Sequence, residues 1–400
     1  MANKRARDLG IRFRGSPGTP SNSITDVSGV GVGHSTIIGG QLVPQAGING
    51  EAAPADLDST VNTGVTVVVP NSGSALDSVV NCGFFSLNGN GEMTGTHLIE
   101  ESGILQGPII LTNTASLGTV RSHIIQYGFT TKALGYLLPV VAETDDSLLN
   151  NIEKDGITQD MVVSAYKNAK TGSVTEGSVG GGTGMTCYDW KGGIGTSSRK
   201  VSVRGIGYDG TELPGQKVTV GVLVQANQGT YDELVIMGVP VGRLTTFPVP
   251  ELSRHISLSP SQPAASGRKR SHSSIIVVIA TDAPLQPHQL KRLARRGGLG
   301  IARTGTSTHD DSGELCIAFS TTATSDVLDS RNRGLAYIDN VDMDPFFTAT
   351  VQATEEAIIN ALLAATPVTG PNNFTASVLQ PDDLVDALNR YNPMTANFVD

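Results

Sequence analysis

Charge is scarce in this chain of 400 residues, with Asp, Glu, Lys and Arg together at 16% and hydrophobic residues at 38%. That balance excludes an intrinsically disordered chain, which is charge-rich and poor in apolar residues. Basic residues are fewer than acidic ones, 28 against 37, for a net charge of -9. The chain therefore lacks the basic face of a nucleic-acid binder, and its field repels polyanions. Cysteine is nearly absent. Cys82, Cys187 and Cys316 are odd in number and show no CxxC spacing, so neither a disulfide framework nor a zinc knuckle is indicated. No apolar run approaches the roughly 18 residues that span a membrane. The start, Met1 to Arg14, is basic but has no apolar segment of a secretory signal. A soluble, cytoplasmic protein is the expectation. The length permits one large domain or two ordinary ones.

Glycine is what the chain has in excess, 47 residues with 20 prolines, which predicts many tight turns and close backbone approaches. Short runs rich in Val, Ile and Leu read as strands covered on both faces: 62–70, 107–111, 137–142, 218–225, 234–241, 275–280 and 315–319. The first 60 residues read as loop with one short strand. Helical periodicity marks 116–127, 158–167, 344–365 and 381–391. A further helix starts at Pro287 and runs to Arg296, with Gly297-Gly298 as its expected stop. Strands bracketed by helices without strict alternation predict a layered α/β sandwich rather than a doubly wound sheet. Residues 248–273, rich in Pro, Ser and basic side chains, read as an exposed linker. It ends abruptly at Ser274, which heads the core-like run IIVVIA. A cut before Ser274 would put a new amine and a hydroxyl at one rigid address.

Several Gly-rich pieces then occur in a fixed order: Ile24 to Val30, Asn88 to Gly95, Pro139 to Thr144, Gly177 to Met185, Lys191 to Thr196, Val222 to Gly229, Ser274 to Leu285 and Ser312-Gly-Glu314. Through them the chain resembles the self-processing aminopeptidases that include the L-aminopeptidase/D-amino acid esterase and the bacterial β-peptidyl aminopeptidases. The resemblance spans nearly the whole chain. It implies a four-layer α/β/β/α sandwich resembling N-terminal nucleophile hydrolases, with a different connectivity. It further implies a single hydrolase domain over 1–400, cut between Ser273 and Ser274 into an α chain (1–273) and a β chain (274–400). Ser274 matches the nucleophile, Ser312 and Glu314 its partners, Asn227 the oxyanion-hole asparagine and Glu143 the carboxylate that receives a substrate amine. The implied substrates are small peptides, amino acid amides or esters. No metal or cofactor, nucleic acid or membrane is implied, and the implied assembly is a homo-oligomer, a tetramer.

Those residue types suit that chemistry. A serine hydroxyl needs a base, and an N-terminal amine with an ordinary pKa of about 7.7–8.0 can supply one without histidine. An asparagine amide can donate to a developing oxyanion. The chain departs from its relatives at Asp145, where an aromatic is usual, and at Ser273, a second hydroxyl beside the scissile bond. The basic run Arg268-Lys269-Arg270 adds a place where another protease could trim the linker. Gly180-Gly-Gly-Thr-Gly184 lacks the lysine and spacing of a phosphate loop and is read as close backbone packing. His309 beside Asp310 and Asp311 is read as a solvated loop rather than a metal site. Two other readings stay open: an uncleaved, non-catalytic relative, and a dedicated amide hydrolase of one small metabolite.

Overall fold

In the strand Thr63–Val69, successive valines point to opposite sides, and both sides are buried. That pattern repeats through the computed structural model, which describes residues 4–43, 60–71, 76, 78–131, 138–154, 156–206, 212–253, 273–322 and 338–391. Among these, the strands are β1 (Gly31–Ile38), β2 (Gln41–Val43), β3 (Thr63–Val69), β4 (Val79–Gly89), β5 (Ile104–Gln106), β6 (Ile109–Asn113) and β7 (Val140–Thr144). They continue with β8 (Thr186–Cys187), β9 (Trp190–Lys191), β10 (Gly193–Ile206), β11 (Glu212–Asn227), β12 (Ser274–Thr281) and β13 (Gly313–Ser320). The α-helices are α1 (Thr96–Ser102), α2 (Leu117–Thr130), α3 (Gln159–Lys167), α4 (Pro287–Ala302), α5 (Asp344–Ala364) and α6 (Pro381–Tyr391).

One sheet has the order β2-β1-β3-β6-β7 and the other β10-β11-β12-β13-β4-β5. Side-chain alternation sorts their residues into three cores. Val68, Ile109, Leu111, Val140 and Ala142 meet Ile276, Val278, Leu315, Ile317 and Phe319 between the sheets. Val65, Val67, Ile110 and Val141 turn the other way, onto Val120 and Ile124 of α2 and Met161 and Val162 of α3. Ile275, Val277 and Ile279 likewise turn outward, toward Leu290 and Leu293 of α4 and Ala353 and Ala357 of α5. The result is the expected α/β/β/α layering. Among the described residues, no helix is long and apolar enough to cross a membrane.

Three expectations are corrected. Residues 234–241 form no ladder strand: one bridge, Ile236↔Val239, closes a turn between two short 3-10 segments. The run is apolar because Leu234, Ile236, Val239 and Val241 cap the outer core. Gly297-Gly298 do not stop α4, which continues to Ala302. Here glycine serves close packing, since a Cβ on Gly297 would lie 2.8 Å from Cys316 Sγ on the sheet beneath. The first 60 residues hold β1 and β2 rather than one strand. Of the proposed linker, 254–272 lie outside the described residues, as does Arg268-Lys269-Arg270.

Candidate active site

Three strand ends meet at one edge of the six-stranded sheet. β11 runs antiparallel to β12 and pairs Asn227 with Ser274; β12 runs parallel to β13 and pairs Ser274 with Gly313. β13 in turn pairs Gly313 with Gly89 and Glu314 with Asn88 on β4. The register therefore brings Asn227, Ser274, Ser312 and Glu314 together from positions far apart in the chain. All four are almost wholly buried. Asn227 and Ser274 share the parity of Leu223 and Ile276, which lie in the core between the sheets.

The peptide joining Ser273 to Ser274 is held on several sides. Ser274 Oγ donates to its own preceding carbonyl, Ser273 O, at 2.7 Å, and accepts from Gly313 N–H at 3.2 Å. The same Ser273 carbonyl accepts from Gly313 N–H at 3.3 Å. The Ser273 hydroxyl accepts from Gly229 N–H at 2.9 Å. Gly229 has a φ of +80°, and a Cβ there would stand 2.3 Å from the Tyr188 ring, so glycine alone fits. Ser312 Oγ donates to Glu314 Oε1. Burial pushes the Glu314 carboxyl above its ordinary range, against the pull of the Ser312 hydroxyl.

Asn227 is fixed at both ends of its amide. Oδ1 accepts from Thr186 N–H at 2.8 Å, and Nδ2 donates to Asp145 O at 2.9 Å. Asp145 thus enters the site through its backbone, while its carboxylate accepts from Ser147 N–H at 2.7 Å in a local turn. Glu143 ends β7 on the other sheet and is 5% exposed. Its Oε1 accepts from Glu92 N–H at 2.8 Å and its Oε2 from the Thr114 hydroxyl. Burial drives its carboxyl upward, Thr114 and the Glu92 amide oppose this, and the charges of Asp145 and Glu92 reinforce it. Gly91 links the two halves: a Cβ there would lie 3.4 Å from both Glu143 Oε1 and Gly313 Cα.

Thr114 escapes sequence reasoning, and Gly91, Gly229 and Gly313 lie in the Gly-rich pieces without being singled out, because each acts through its place beside a distant strand. The Gly180–Gly182 turn carries no phosphate cradle, because its amides are taken: Gly180 N–H by Thr36 Oγ1 at 2.8 Å and Gly181 N–H by Thr66 Oγ1 at 3.1 Å. His309 Nε2 faces Glu233 Oε1 at 2.9 Å, and its carbonyl accepts from the Asn88 amide at 2.6 Å.

Comparison with known proteins matches residues 22–376 to peptidase family S58. The chain is 42% identical over 391 residues to the β-peptidyl aminopeptidase of Sphingosinicella xenopeptidilytica, covering 96% of this chain and 90% of that one. Among solved structures it is similar to a β-aminopeptidase of Burkholderia sp., at 39% identity and a TM-score of 0.77, over 97% of this chain and 99% of that one. It is similar also to the L-aminopeptidase D-Ala-esterase/amidase of Ochrobactrum anthropi, described as a variant of the Ntn hydrolase fold, at 37% identity and a TM-score of 0.77, over 97% and 98% of the two chains. On sequence and fold together, the chain belongs to peptidase family S58, a family of serine aminopeptidases.

Proposed function

We propose that the chain cuts itself between Ser273 and Ser274, and that the new N-terminal serine hydrolyses short peptides, amino acid amides or esters bearing a free amine. The observation that carries the reading is the register Asn227↔Ser274↔Gly313, with Ser274 Oγ 2.7 Å from the carbonyl oxygen of the peptide to be cut. In self-cleavage, Ser274 Oγ attacks the Ser273 carbonyl carbon. The Oγ proton passes to the Ser274 nitrogen as the C–N bond breaks, so that nitrogen leaves as an amine, and water hydrolyses the resulting ester. Gly313 N–H, donating to the Ser273 carbonyl, favours charge developing on that oxygen.

In turnover the free amine of Ser274 takes the proton from Oγ as it attacks the substrate carbonyl. Asn227 Nδ2, which carries two hydrogens, donates to the oxyanion. Ser312, hydrogen-bonded to Glu314, orients the nucleophile and its ammonium. The ammonium protonates the leaving amine, and water then cleaves the acyl-enzyme ester. Glu143 pairs with the substrate ammonium, which selects free amino termini and gives an exopeptidase. Asp145 shapes the same pocket and, through its carbonyl, the aim of Asn227. The enzyme is read as a cytoplasmic homo-oligomer; Cys82, Cys187 and Cys316 are buried free thiols, as suits a reducing compartment.

N-terminal sequencing of the smaller fragment of purified protein tests the cut. A start at Ser274 is expected, together with a single inactive chain for Ser274→Ala. A persistent intact chain of 41.6 kDa that hydrolyses no aminoacyl p-nitroanilide would instead favour a non-catalytic relative.

A further inference from the structure

Lys191 is fully buried, and its ammonium is not one the proposed chemistry uses. Its Nζ donates to three backbone carbonyls: Gly182 O at 3.1 Å, Met185 O at 2.8 Å and Gly192 O at 2.9 Å. These carbonyls belong to one loop, from the Gly180–Gly182 turn to the start of β10, and all three converge on the one ammonium. The loop carries Thr186, whose N–H holds Asn227 Oδ1 at 2.8 Å. Near Lys191 the loop is also held by Gly192 N–H to Met185 O at 2.9 Å, Lys191 N–H to Ser377 O at 2.7 Å, Tyr188 N–H to Gln228 O at 2.8 Å and the Thr144 hydroxyl to Met185 Sδ at 2.9 Å, but the Lys191 ammonium alone gathers three of its carbonyls at one point.

Asp146 completes the arrangement. It is fully buried, accepts from Thr63 Oγ1 at 2.7 Å and from Asn150 Nδ2 at 2.9 Å, and supplies the opposite charge that Lys191 senses. The loop rests directly on it, since a Cβ on Gly184 would lie 2.8 Å from Asp146 Cβ. Burial pushes the amine down and the carboxyl up, each to about 7, and the Asp146 charge pulls the amine back toward its ammonium form at a distance, against a desolvation cost. A hydrophobic side chain would avoid that cost but would release Gly182 O and Met185 O to their single backbone donors, Met185 N–H and Gly192 N–H, and would unlink both from Gly192 O.

We infer that Lys191, backed by Asp146, is a positioning residue: it ties down the loop whose Thr186 amide aims the Asn227 side chain at the reacting carbonyl. The inference rests on the proposed oxyanion role of Asn227. All three ammonium hydrogens are directed at carbonyls, so Lys191 does not act as a base itself.

The test is a double-mutant cycle on self-cleaved enzyme with an aminoacyl p-nitroanilide. Lys191→Met should lower kcat by about 100-fold, the scale of a displaced catalytic group, with KM nearly unchanged. In an Asn227→Ala background the same change should cost no further kcat, because the group it aims is gone. A merely structural lysine would give losses that multiply in the double variant, and that result overturns the inference. If Asn227→Ala alone left kcat intact, the oxyanion reading itself would fail, which is a distinct outcome. Should Lys191→Met not fold, Asp146→Asn carries the test. It should show a smaller, kcat-selective loss that also vanishes in the Asn227→Ala background, and a parent-level kcat would overturn the inference.

Discussion

Replacing Glu143 by glutamine changes one atom of a buried group and removes its charge. Both carboxylate oxygens accept hydrogen bonds, from Glu92 N–H at 2.8 Å and from the Thr114 hydroxyl. An amide offers one oxygen only, so one donor must face an NH2 group whichever way the side chain is turned. The larger effect falls on the substrate. A hydrogen bond to a charged group contributes about 1.5–3 kcal/mol, and each 1.4 kcal/mol is a factor of ten, so kcat/KM for a free-amine substrate should fall by roughly 10- to 150-fold. An N-acetylated substrate never makes that ion pair and should be hydrolysed at the parent's low rate. The assay is therefore the ratio of kcat/KM for free and acetylated aminoacyl p-nitroanilides, which should collapse toward unity in Glu143→Gln. A variant that keeps the parent's ratio would show that amine recognition lies elsewhere, and the exopeptidase reading would lose its basis.

As pH falls, protonation of the Ser274 amine, ordinarily at about 7.7–8.0, lowers kcat/KM first. Because burial raises the Glu143 carboxyl and it must be ionised to hold an ammonium, a second, steeper acidic limb should set in above the pH that an ordinary carboxylate near about 4.3 dictates. Thr114→Val removes a hydrogen bond that opposes the shift and should move this acidic limb further up; an unmoved limb in a pH–rate profile assigns it to another group. His309→Ala should keep activity and self-cleavage, since the ring faces Glu233 and the mechanism has no imidazole step; an inactive, cleaved variant would point to a Ser–His mechanism. Gly297→Ala should destabilise the protein by about 1–3 kcal/mol of overpacking, offset by up to about 1 kcal/mol of helix propensity, because the new methyl meets Cys316 Sγ at 2.8 Å. Chemical denaturation reads this, and a more stable variant would show that Cys316 moves aside freely.

Much of the layering was legible because strands covered on both faces show as unbroken apolar runs. Ile275 to Ala280 and Leu315 to Phe319 are such runs, and both lie at the centre of the six-stranded sheet. β4 was less visible, since residues 86–89 at its end leave the core and carry polar or exposed side chains. The run 234–241 misled because apolar residues capping a core look locally like a strand. Gly297-Gly298 misled for a related reason: glycine marks either a helix end or a close approach, and only the neighbouring sheet decides which. At the site, Ser274 stood out because a polar stretch met a core strand there, and Ser312, Glu314, Asn227 and Glu143 came from family resemblance. Thr114 did not stand out, and Gly229 and Lys191 fell in Gly-rich pieces without their roles, because what makes them matter is their neighbours in space, 29 to 44 residues away for Thr114 and Gly229 and backbone carbonyls for Lys191.

The strand order β10-β11-β12-β13-β4-β5 sets the two strands that follow the Ser273–Ser274 bond, β12 and β13, between two pairs that precede it. If that bond is cut as proposed, β12 would stay laddered to β11 and β13 to β4, so neither product could leave without tearing the middle of the sheet. The intact precursor folds as one molecule at a rate independent of its concentration. The cut pair, if ever unfolded, must find each other again by diffusion, at a rate that falls with dilution. Maturation of this kind turns a reversible folding problem into a nearly one-way event. The lifetime of the working enzyme is then set by how slowly it opens rather than by how readily it refolds.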